Sequence, residues 1–598
     1  MRASFAWKTP LEAPVGEKTN HPAEPDKEAG VISSDPHNKS QDGQSDTDID
    51  AIDTTAQRGV QKIEATTKYW SQSNLVLAYI FIWIITFVDA MQQGTTGLLT
   101  PYVTSGFSQH SLTAAAGVFS SLIGGVTKLP LAKLIDIWGR PHGYILMVVI
   151  LTVGLVMMAA CQNVETYAAA QVFYWVGYNG LSYIMGIFVA DTSSLRNRSF
   201  MFAFQSSPYI ITVWITGPFF NAIVKPGGMG FRWGFGIFAI IMPVVCLPLW
   251  VLFMYNQRQA VKSGMLPKKS SGRTTWESIK YYFIQFDAVG VLCLCAGFSL
   301  FLLPFNIYSY QYYGWKDKMT IGPLVGGFVL LCLFVVWETW YSPVNYMPWE
   351  LLKDRTVLGA NVLACVLFIS FYIWDSYFSS FLQIVPNLSP TYTAYVVNIY
   401  SIGSCFWSLL IGVYIHYRGR FKNLALYFGI PLTILGVGLM IAFRQPHVNV
   451  GYIVMCQIFI AFAGGTLVIC EQMAVMAATS HQYVAVVLAM EGMFSSIGGA
   501  IGQSVAGATW TSVFPAALAK YLPEEEQGNL TTIYGDLTVQ LSYPVGSATR
   551  DAINAAYGDA QKWMLVGGTA ILVLAIPAVM VWRNINVIEF KQVKGRVF

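Results

Sequence analysis

Four carboxylates in or beside long apolar stretches are the residues of this sequence best suited to carry chemistry. In order of preference they are Glu491, Asp89, Glu471 and Asp375. An ionisable group inside a membrane is costly and is kept mostly for function, and a buried carboxylate that alternates between neutral and charged forms can carry a proton. We predict proton coupling at these residues. A membrane-interface position is the alternative for Asp89 and Asp375, and a loop position is the alternative for Glu471.

Lys128 is the one basic residue well inside the apolar stretches of the N-terminal part of the chain. It can pair with an acid such as Asp89 or bind an anionic group. A lysine side chain can also extend to the membrane surface, and we favour that interpretation.

The residue patterns of enzymes, metal sites and nucleic-acid binding are missing from the sequence. The seven histidines form no His-x-x-His or His-x-x-x-His pair, the nine cysteines include no Cys-x-x-Cys, and no glycine-rich phosphate loop occurs. The formal net charge of +4 is too small for a nucleic-acid groove. We predict no enzyme activity, metal site, cofactor or nucleic-acid partner. Without a nucleotide site, any uphill movement of a solute would draw on an ion gradient, and the carboxylates favour protons.

Composition predicts an all-α protein that crosses a membrane many times. The sequence is 54% hydrophobic and 11% charged, whereas a soluble domain carries about 25% charged residues. Apolar stretches long enough to span a bilayer, which takes about 20 residues, recur about fourteen times. They cover 74–91, 111–131, 143–161, 166–190, 202–224, 231–255, 285–305, 320–340, 356–378, 392–415, 423–443, 450–474, 482–510 and 562–582.

The distribution of Lys and Arg predicts the orientation and the division of the chain. Alternate loops carry most of the basic residues, and such loops stay cytosolic, so both termini are expected in the cytosol. The Asn529-Leu530-Thr531 glycosylation sequon falls on the opposite side, although such triplets also arise by chance.

The predicted parts are a disordered cytosolic tail (1–70), an N-terminal six-helix half (71–255), a basic cytosolic linker (256–284), an inserted helix pair (285–340), a C-terminal six-helix half (341–582) with a long outer loop (511–561), and a cytosolic tail (583–598).

An internal repeat supports the division into halves. Its copies are Ala132-x-x-x-Asp136-x-x-Gly139-Arg140 and, at an offset of 280, Gly412-x-x-x-His416-x-x-Gly419-Arg420. Duplicated halves are typical of transporters.

The first copy resembles the signature loop of the major facilitator superfamily, G-x-L-A-D-R-x-G-R-K, with Ala132 in place of the first glycine. An acid at a helix end that pairs with basic residues forms a latch, which a rocking motion must break. We predict gating residues around both copies, namely Asp136, Gly139, Arg140, Arg196, Arg198, Gly419 and Arg420. The alternative is a tight charged turn in which Gly139 supplies backbone freedom.

Five motifs carry a closer resemblance. They are Lys133 to Pro141, Asp191 to Arg198, Phe231 to Gly236, Phe286-Asp287-x-x-Gly290 and Trp374 to Phe378. With these motifs and the long outer loop, the chain from about Tyr69 onward resembles the fungal siderophore-iron transporters, a fourteen-span branch of the same superfamily. The resemblance implies import of ferric complexes, mostly of hydroxamate siderophores, by proton symport. We expect a monomer in the plasma membrane, or in an endosomal or other vesicle membrane.

Such a cargo indicates which side chains to look for. A ferric trishydroxamate is bulky and neutral, so its site needs aromatic and hydrogen-bonding surface. Outer-facing aromatic residues that fit are Tyr313, Trp315, Tyr534, Tyr543 and Tyr557. Anchoring at the membrane interface is the favoured alternative for Tyr313 and Trp315, and packing within the loop is the alternative for the other three.

The main alternative function is that of a fourteen-span drug–proton antiporter, which exports small molecules. These exporters resemble one another in a G-x-x-x-G-P-x-x-G-G motif of the fifth span. Gly217-Pro218 is present here, but Val213 replaces the leading glycine and Asn221-Ala222 replace the final pair. A receptor that moves no cargo is a further alternative, which the short tail over 583–598 disfavours.

Overall fold

The computed structural model of the chain describes residues 70–106, 118, 122–225, 227–262, 274–308, 313–344, 346–480 and 483–589. These residues form helices joined by short turns, and no strand occurs among them apart from an isolated bridge between Arg420 and Asn586. Helices dominate because a backbone that crosses a bilayer must satisfy its own hydrogen bonds. The predicted tail over 1–70 lies almost wholly outside the described residues.

The helices fall into three consecutive groups. The first comprises α1 Gln72–Gly106, α2 Lys128–Trp138, α3 Arg140–Ala160, α4 Val164–Thr192, α5 Leu195–Ser206, α6 Tyr209–Val224 and α7 Gly230–Lys262. The second comprises α8 Thr275–Gln285, α9 Ala288–Leu302, α10 Pro304–Ile307 and α11 Lys318–Val336. The third comprises α12 Trp349–Leu352, α13 Arg355–Asp375, α14 Phe378–Ile384, α15 Pro390–Val397, α16 Ile399–Arg418, α17 Lys422–Leu424, α18 Ile430–Phe443, α19 Val450–Ala477, α20 Val484–Tyr521, α21 Leu530–Gly535, α22 Leu537–Ser542, α23 Ala548–Ile571 and α24 Ala575–Met580.

Twelve described helices, some of them made of two consecutive segments, are long and apolar enough to cross a membrane. The pair α8 and α9, bent by 49°, brings the number to thirteen if it is one span. The chain is therefore an all-α, multi-pass membrane protein, as predicted. The predicted span over 111–131 lies partly outside the described residues, so the count of fourteen stays a prediction.

The predicted long outer loop, 511–561, begins and ends with helical residues. Helix α20 continues to Tyr521 and α23 begins at Ala548, which leaves 522–547 between them. We call 522–547 the outer segment, after its predicted side of the membrane. The adjoining helix ends carry polar residues that are buried in the protein, such as Thr511 and Arg550, and the bounds of the loop outside the membrane stay a prediction. Within the segment lie a short 3-10 helix, Glu524–Asn529, and the helices α21 and α22.

The two halves meet at both ends of the molecule. At the end that carries the outer segment, the Tyr102 hydroxyl on α1 donates to Gln383 Oε1 on α14 at 2.6 Å. Gly217 on α6 lies against Tyr395 on α15, so closely that a Cβ there would be 2.9 Å from the ring. At the other end α5 packs on α16, where a Cβ at Gly412 would be 2.8 Å from Phe200 Cα. Small residues allow this approach of helix backbones.

Candidate functional site

The first signature loop is a buried ion network between α2, α3 and α4. Arg140 donates through Nε to Asp191 Oδ2 at 3.1 Å and through Nη1 to Asp136 Oδ1 at 3.3 Å. Gly139 links α2 to α3 with φ +98°, a conformation that favours glycine. The structure therefore brings Asp136, Gly139 and Arg140 together. Sequence reasoning gave no role to the central partner, Asp191, although it opens one of the five motifs.

The two other predicted gating arginines of the first half have different surroundings. Arg196 Nε donates to the His416 carbonyl at 3.1 Å, and neighbouring Asn197 Oδ1 lies 2.6 Å from His416 Nδ1. Arg198 is fully buried and donates to the Ala190 carbonyl at 3.0 Å. Arg196 thus joins the two halves, whereas Arg198 braces the turn between α4 and α5.

The second copy of the loop is held by the C-terminal segment. Gly419 has φ +70°, and its carbonyl accepts from Val587 N at 2.9 Å. Arg420 forms a backbone bridge to Asn586, and its side chain is exposed. The repeat alone did not indicate that Asn586 and Val587 hold this loop, because both residues lie far from the loop in the sequence.

Glu471, Glu491 and Lys128 form a polar cluster where α19 and α20 face the first half. Glu471 and Glu491 are both buried and close enough for their charges to act on each other, although neither carboxyl oxygen of Glu471 has a hydrogen-bond partner among the described residues. Two ionised carboxylates this close repel each other, which disfavours charge on both at once. Lys128 Nζ donates to the Gly492 carbonyl at 3.3 Å, and its charge acts on Glu491. Lys128 therefore points across the halves rather than pairing with Asp89 or reaching the surface.

The remaining predicted proton carriers lie apart from this cluster. Asp89 on α1 is buried, and its Oδ1 has no hydrogen-bond partner among the described residues. Asp375 ends α13 and lines a cavity. The charge of Asp375 is opposed by the nearby Arg444, whose guanidinium lies 4.1 Å from the centre of the Phe378 ring.

A cavity of about 230 Å³ lies between the halves. One wall comes from α1 and α4, including Gln93, Gln171 and Trp175, and the other comes from α13, α16 and α20. The second wall contributes Phe371, Tyr372, Asp375, Asn398, Tyr400 and Gln503. Among the described lining residues Asp375 is the one charged group. Of this set the sequence predicted a role for Asp375 alone, because the other members carry no charge and come from helices far apart in the chain.

The outer aromatic residues predicted to capture cargo are mostly engaged within the protein. Tyr557 is fully buried, and its hydroxyl donates to Gln540 Oε1 at 2.8 Å. Tyr534 packs 6.2 Å from Phe514, centre to centre. Tyr543 donates to Glu526 Oε2 at 2.9 Å. In this conformation these rings hold the outer segment together.

Tyr313 and Trp315, in contrast, keep large exposed surfaces outside the halves. Trp315 stacks on Tyr308 with ring centres 4.4 Å apart. Neither residue lines the cavity between the halves.

The predicted glycosylation residue, Asn529, is exposed at the end of the 3-10 helix in the outer segment. Its amide donates to Glu526 Oε2 at 2.8 Å. The hydrogen bonds from Asn529 and Tyr543 lower the pKa of the Glu526 carboxyl.

The buried signature loop, the paired halves and the cavity between them define a transporter of the major facilitator class. A family model described as Major Facilitator Superfamily matches residues 82–349. A solved bacterial homologue of the human lysosomal transporter Spinster, inward-facing and unoccupied, matches with a TM-score of 0.52 at 12% identity, over 86% of this chain and 98% of that one. At this identity the likeness shows the fold alone.

The family within that class follows from closer relatives. The chain is 60% identical to MFS siderochrome iron transporter 1 of Ajellomyces capsulatus over 100% of both chains. It is 44% identical to siderochrome iron transporter 2 of Aspergillus fumigatus, over 97% of this chain and 95% of the relative. This chain belongs to the fungal siderophore-iron transporter family of the major facilitator superfamily, a family of transporters rather than enzymes.

Proposed function

We propose that this protein imports ferric siderophores, mostly of the hydroxamate type, by proton symport with alternating access. The observation that carries the proposal is the cavity between the halves. Its lining combines aromatic rings with side-chain amides and a single carboxylate among the described residues. The names of the relatives supply the class of cargo, siderophore-bound iron.

The lining suits a neutral ferric trishydroxamate. Three hydroxamates cancel the charge of ferric iron, so the complex needs no counter-charge from the protein. Trp175, Phe371 and Tyr400 offer ring surface, while Gln171 and Gln503 offer amide groups for the polar rim of the ligand. At about 230 Å³ the cavity is smaller than the roughly 300 to 1,000 Å³ of ordinary ligand pockets. We infer that the halves must separate before cargo of this size enters.

Proton coupling fits the cluster of Glu471, Glu491 and Lys128. Lys128 belongs to the first half and the two acids to the second, so rocking of one half on the other moves the lysine away from Glu491. Loss of the positive neighbour changes how readily the carboxyl pair holds its proton. Proton binding and release are thereby linked to the direction in which the cavity opens. Asp89 and Asp375 are further proton-coupling residues on the proposed path.

The proposed location is the plasma membrane or a vesicle membrane such as the endosomal one, with both termini in the cytosol and the chain acting as a monomer. The signature loop, Arg196 and the repeated loop with Arg420 lie at one end of the bundle, where α5 meets α16. Basic residues at one end support a cytosolic assignment for that end. The Asn529 sequon would then face outside, available for glycosylation.

The experiment is uptake of radioactive iron by yeast cells that lack their own siderophore carriers. Cells that express this chain should accumulate iron from ferrichrome, a neutral ferric hydroxamate, and an uncoupler should abolish the accumulation. Glu491→Gln should weaken the dependence on external pH, whereas Glu525→Gln, an exposed acid on the outer segment, should leave it unchanged. Absence of uptake for every ferric hydroxamate tested, despite normal expression, would overturn the proposal.

A further inference from the structure

Helix α8 is a short amphipathic helix that stands apart from the transmembrane bundle. It follows the end of α7 and precedes α9, from which it is bent by 49°. Its start is fixed by a capping box, in which Thr274 Oγ1 accepts from Glu277 N and Glu277 Oε2 accepts from Thr274 N. The one acid of the helix is therefore engaged at its N-terminus.

The two faces of α8 have different partners. Trp276, Ile279 and Phe283 share one face at helical spacing, and they are 75%, 54% and 52% exposed. On the flank of this face, about 60° around the helix from Ile279, the Tyr282 hydroxyl accepts from Trp138 Nε1 at 2.8 Å. The protein thus holds the helix by its Tyr282 side and leaves the apolar side uncovered.

Neighbouring groups place α8 at the level where a membrane meets water. Exposed Trp340 and Tyr341 end the span that begins with α11. Trp337, one turn earlier, donates through Nε1 to Asp287 Oδ1 at the start of α9, at 2.8 Å. Exposed tryptophan and tyrosine gather at the headgroup level of membranes. The apolar face of α8 therefore has lipid, and not water, as its natural surroundings.

Basic side chains occur on α8 and at the end of α7. Lys280 is exposed and lies about 40° around the helix from Trp276, at the edge of the apolar face. Arg258 and Lys262 are exposed at the end of α7. A helix with an apolar face and basic residues at its edge is suited to a membrane surface that carries negative charge.

We propose that α8 is an interfacial helix that binds anionic phospholipid headgroups. Trp276, Ile279 and Phe283 enter the boundary of the acyl chains, and Lys280, Arg258 and Lys262 contact the phosphate and carboxylate groups of the lipids. The assignment to the cytosolic leaflet rests on the orientation given under Proposed function, whereas lipid binding itself does not depend on the cargo.

The contact has a consequence for gating. Trp138, which Tyr282 holds, directly precedes Gly139 and Arg140 of the signature loop. A lipid-bound α8 therefore fixes the end of α2 next to the buried ion network. Anionic lipid should stabilise the loop in the arrangement described here.

Hydrogen exchange of the full chain in lipid nanodiscs tests the proposal. The peptide that covers 275–285 should exchange more slowly in discs with about 30% phosphatidylserine than in phosphatidylcholine discs. Lys280→Gln should reduce this difference about fivefold. Lys316→Gln, an exposed lysine outside this surface, is the matched control and should leave it intact. Equal exchange of the wild-type peptide in both lipids would overturn anionic binding.

Two further variants separate the apolar face from the link to the loop. Trp276→Ser with Phe283→Ser should speed exchange of α8 in both kinds of disc, and unchanged exchange would remove the apolar face from the membrane. Tyr282→Phe should keep the lipid response of α8 and abolish that of the peptide over 134–142. Persistence of both responses would overturn the link. Since exchange needs no cargo, these results stand independently of siderophore uptake.

Discussion

Asp191 and Glu471 occupy corresponding places in the two halves, at the same offset of 280 that relates the two loops. Asp191 is paired with Arg140 of its own half in a buried network. The residue that corresponds to Arg140 is Arg420, whose side chain is exposed, and Glu471 has no arginine as a hydrogen-bond partner in the described part of the chain. Glu471 instead lies close to Glu491, beside Lys128 of the other half. One half uses its acid in an ion pair, whereas we propose that the acid of the other half exchanges a proton.

The two loops, around Gly139 and Gly419, also differ in the contacts that hold them. Buried charges hold the first loop, whereas the backbone of Asn586 and Val587 holds the second. Both loops keep a glycine with positive φ, at Gly139 and Gly419. The ψ angles of these glycines differ, at 157° and −6°, so the duplication has preserved the glycine but neither the backbone shape nor the contacts that hold each loop.

The largest expected difference between the halves comes from removing the two arginines. Arg140→Ala leaves Asp191 buried without its counter-charge and should destabilise the protein by about 3 to 5 kcal/mol. Arg420→Ala should change stability by less than about 0.5 kcal/mol, since its side chain is exposed. Thermal unfolding of the two purified variants measures the difference. Equal losses would show that the loops are held in the same way.

Replacing the two corresponding acids should separate structure from coupling. Glu471→Gln should keep the fold and reduce proton-driven accumulation about 5- to 150-fold, the range of typical coupling free energies. Asp191→Asn should lower the melting temperature, because Arg140 loses its main counter-charge. Uptake at several external pH values, read together with melting curves, distinguishes the two. A Glu471→Gln variant with normal pH dependence would remove this acid from the proton path.

The backbone contacts that hold the second loop, from Gly419 and Arg420 to Val587 and Asn586, should make a smaller contribution to stability. Gly419→Ala should cost about 1 to 3 kcal/mol, since the new Cβ would need a left-handed conformation and would overlap Asn586 Oδ1. Gly528→Ala, in open space on the outer segment, is the control. Thermal unfolding again measures the cost. An unchanged melting temperature in Gly419→Ala would show that these backbone contacts do not hold the loop.

The smallest effect is expected at the hydrogen bond between the halves. His416→Ala removes the contact with Asn197, which is worth about 1 kcal/mol and corresponds to about a fivefold shift toward the inward-open state. Spin labels at the ends of α5 and α16 that meet here would report this shift as a larger population of long distances between the labels. Arg418→Ala, exposed on the same turn, should not change them. An unchanged distribution in His416→Ala would exclude a role in closure.

The sequence predicted much of the fold and part of the site, for physical reasons that differ. Apolar stretches locate most spans because a bilayer imposes their length. The repeat located Gly139 and Gly419, since a turn of this shape needs glycine. The sequence did not predict the cavity residues Gln171, Trp175 and Gln503. An amide or aromatic residue in a helix has the same sequence pattern whether it lines a cavity or packs against another helix. For that reason the sequence pointed to Tyr557, which the structure buries.

Proton-coupled movement of ferrichrome through purified protein in liposomes tests the central proposal most directly. With an inward proton gradient, wild-type protein should concentrate radioactive ferrichrome inside the vesicles, and addition of ferrichrome should acidify the lumen. Glu491→Gln protein should at most equilibrate the complex, without acidification. Wild-type accumulation that ignores the proton gradient, or ferrichrome entry without any proton movement, would contradict the account.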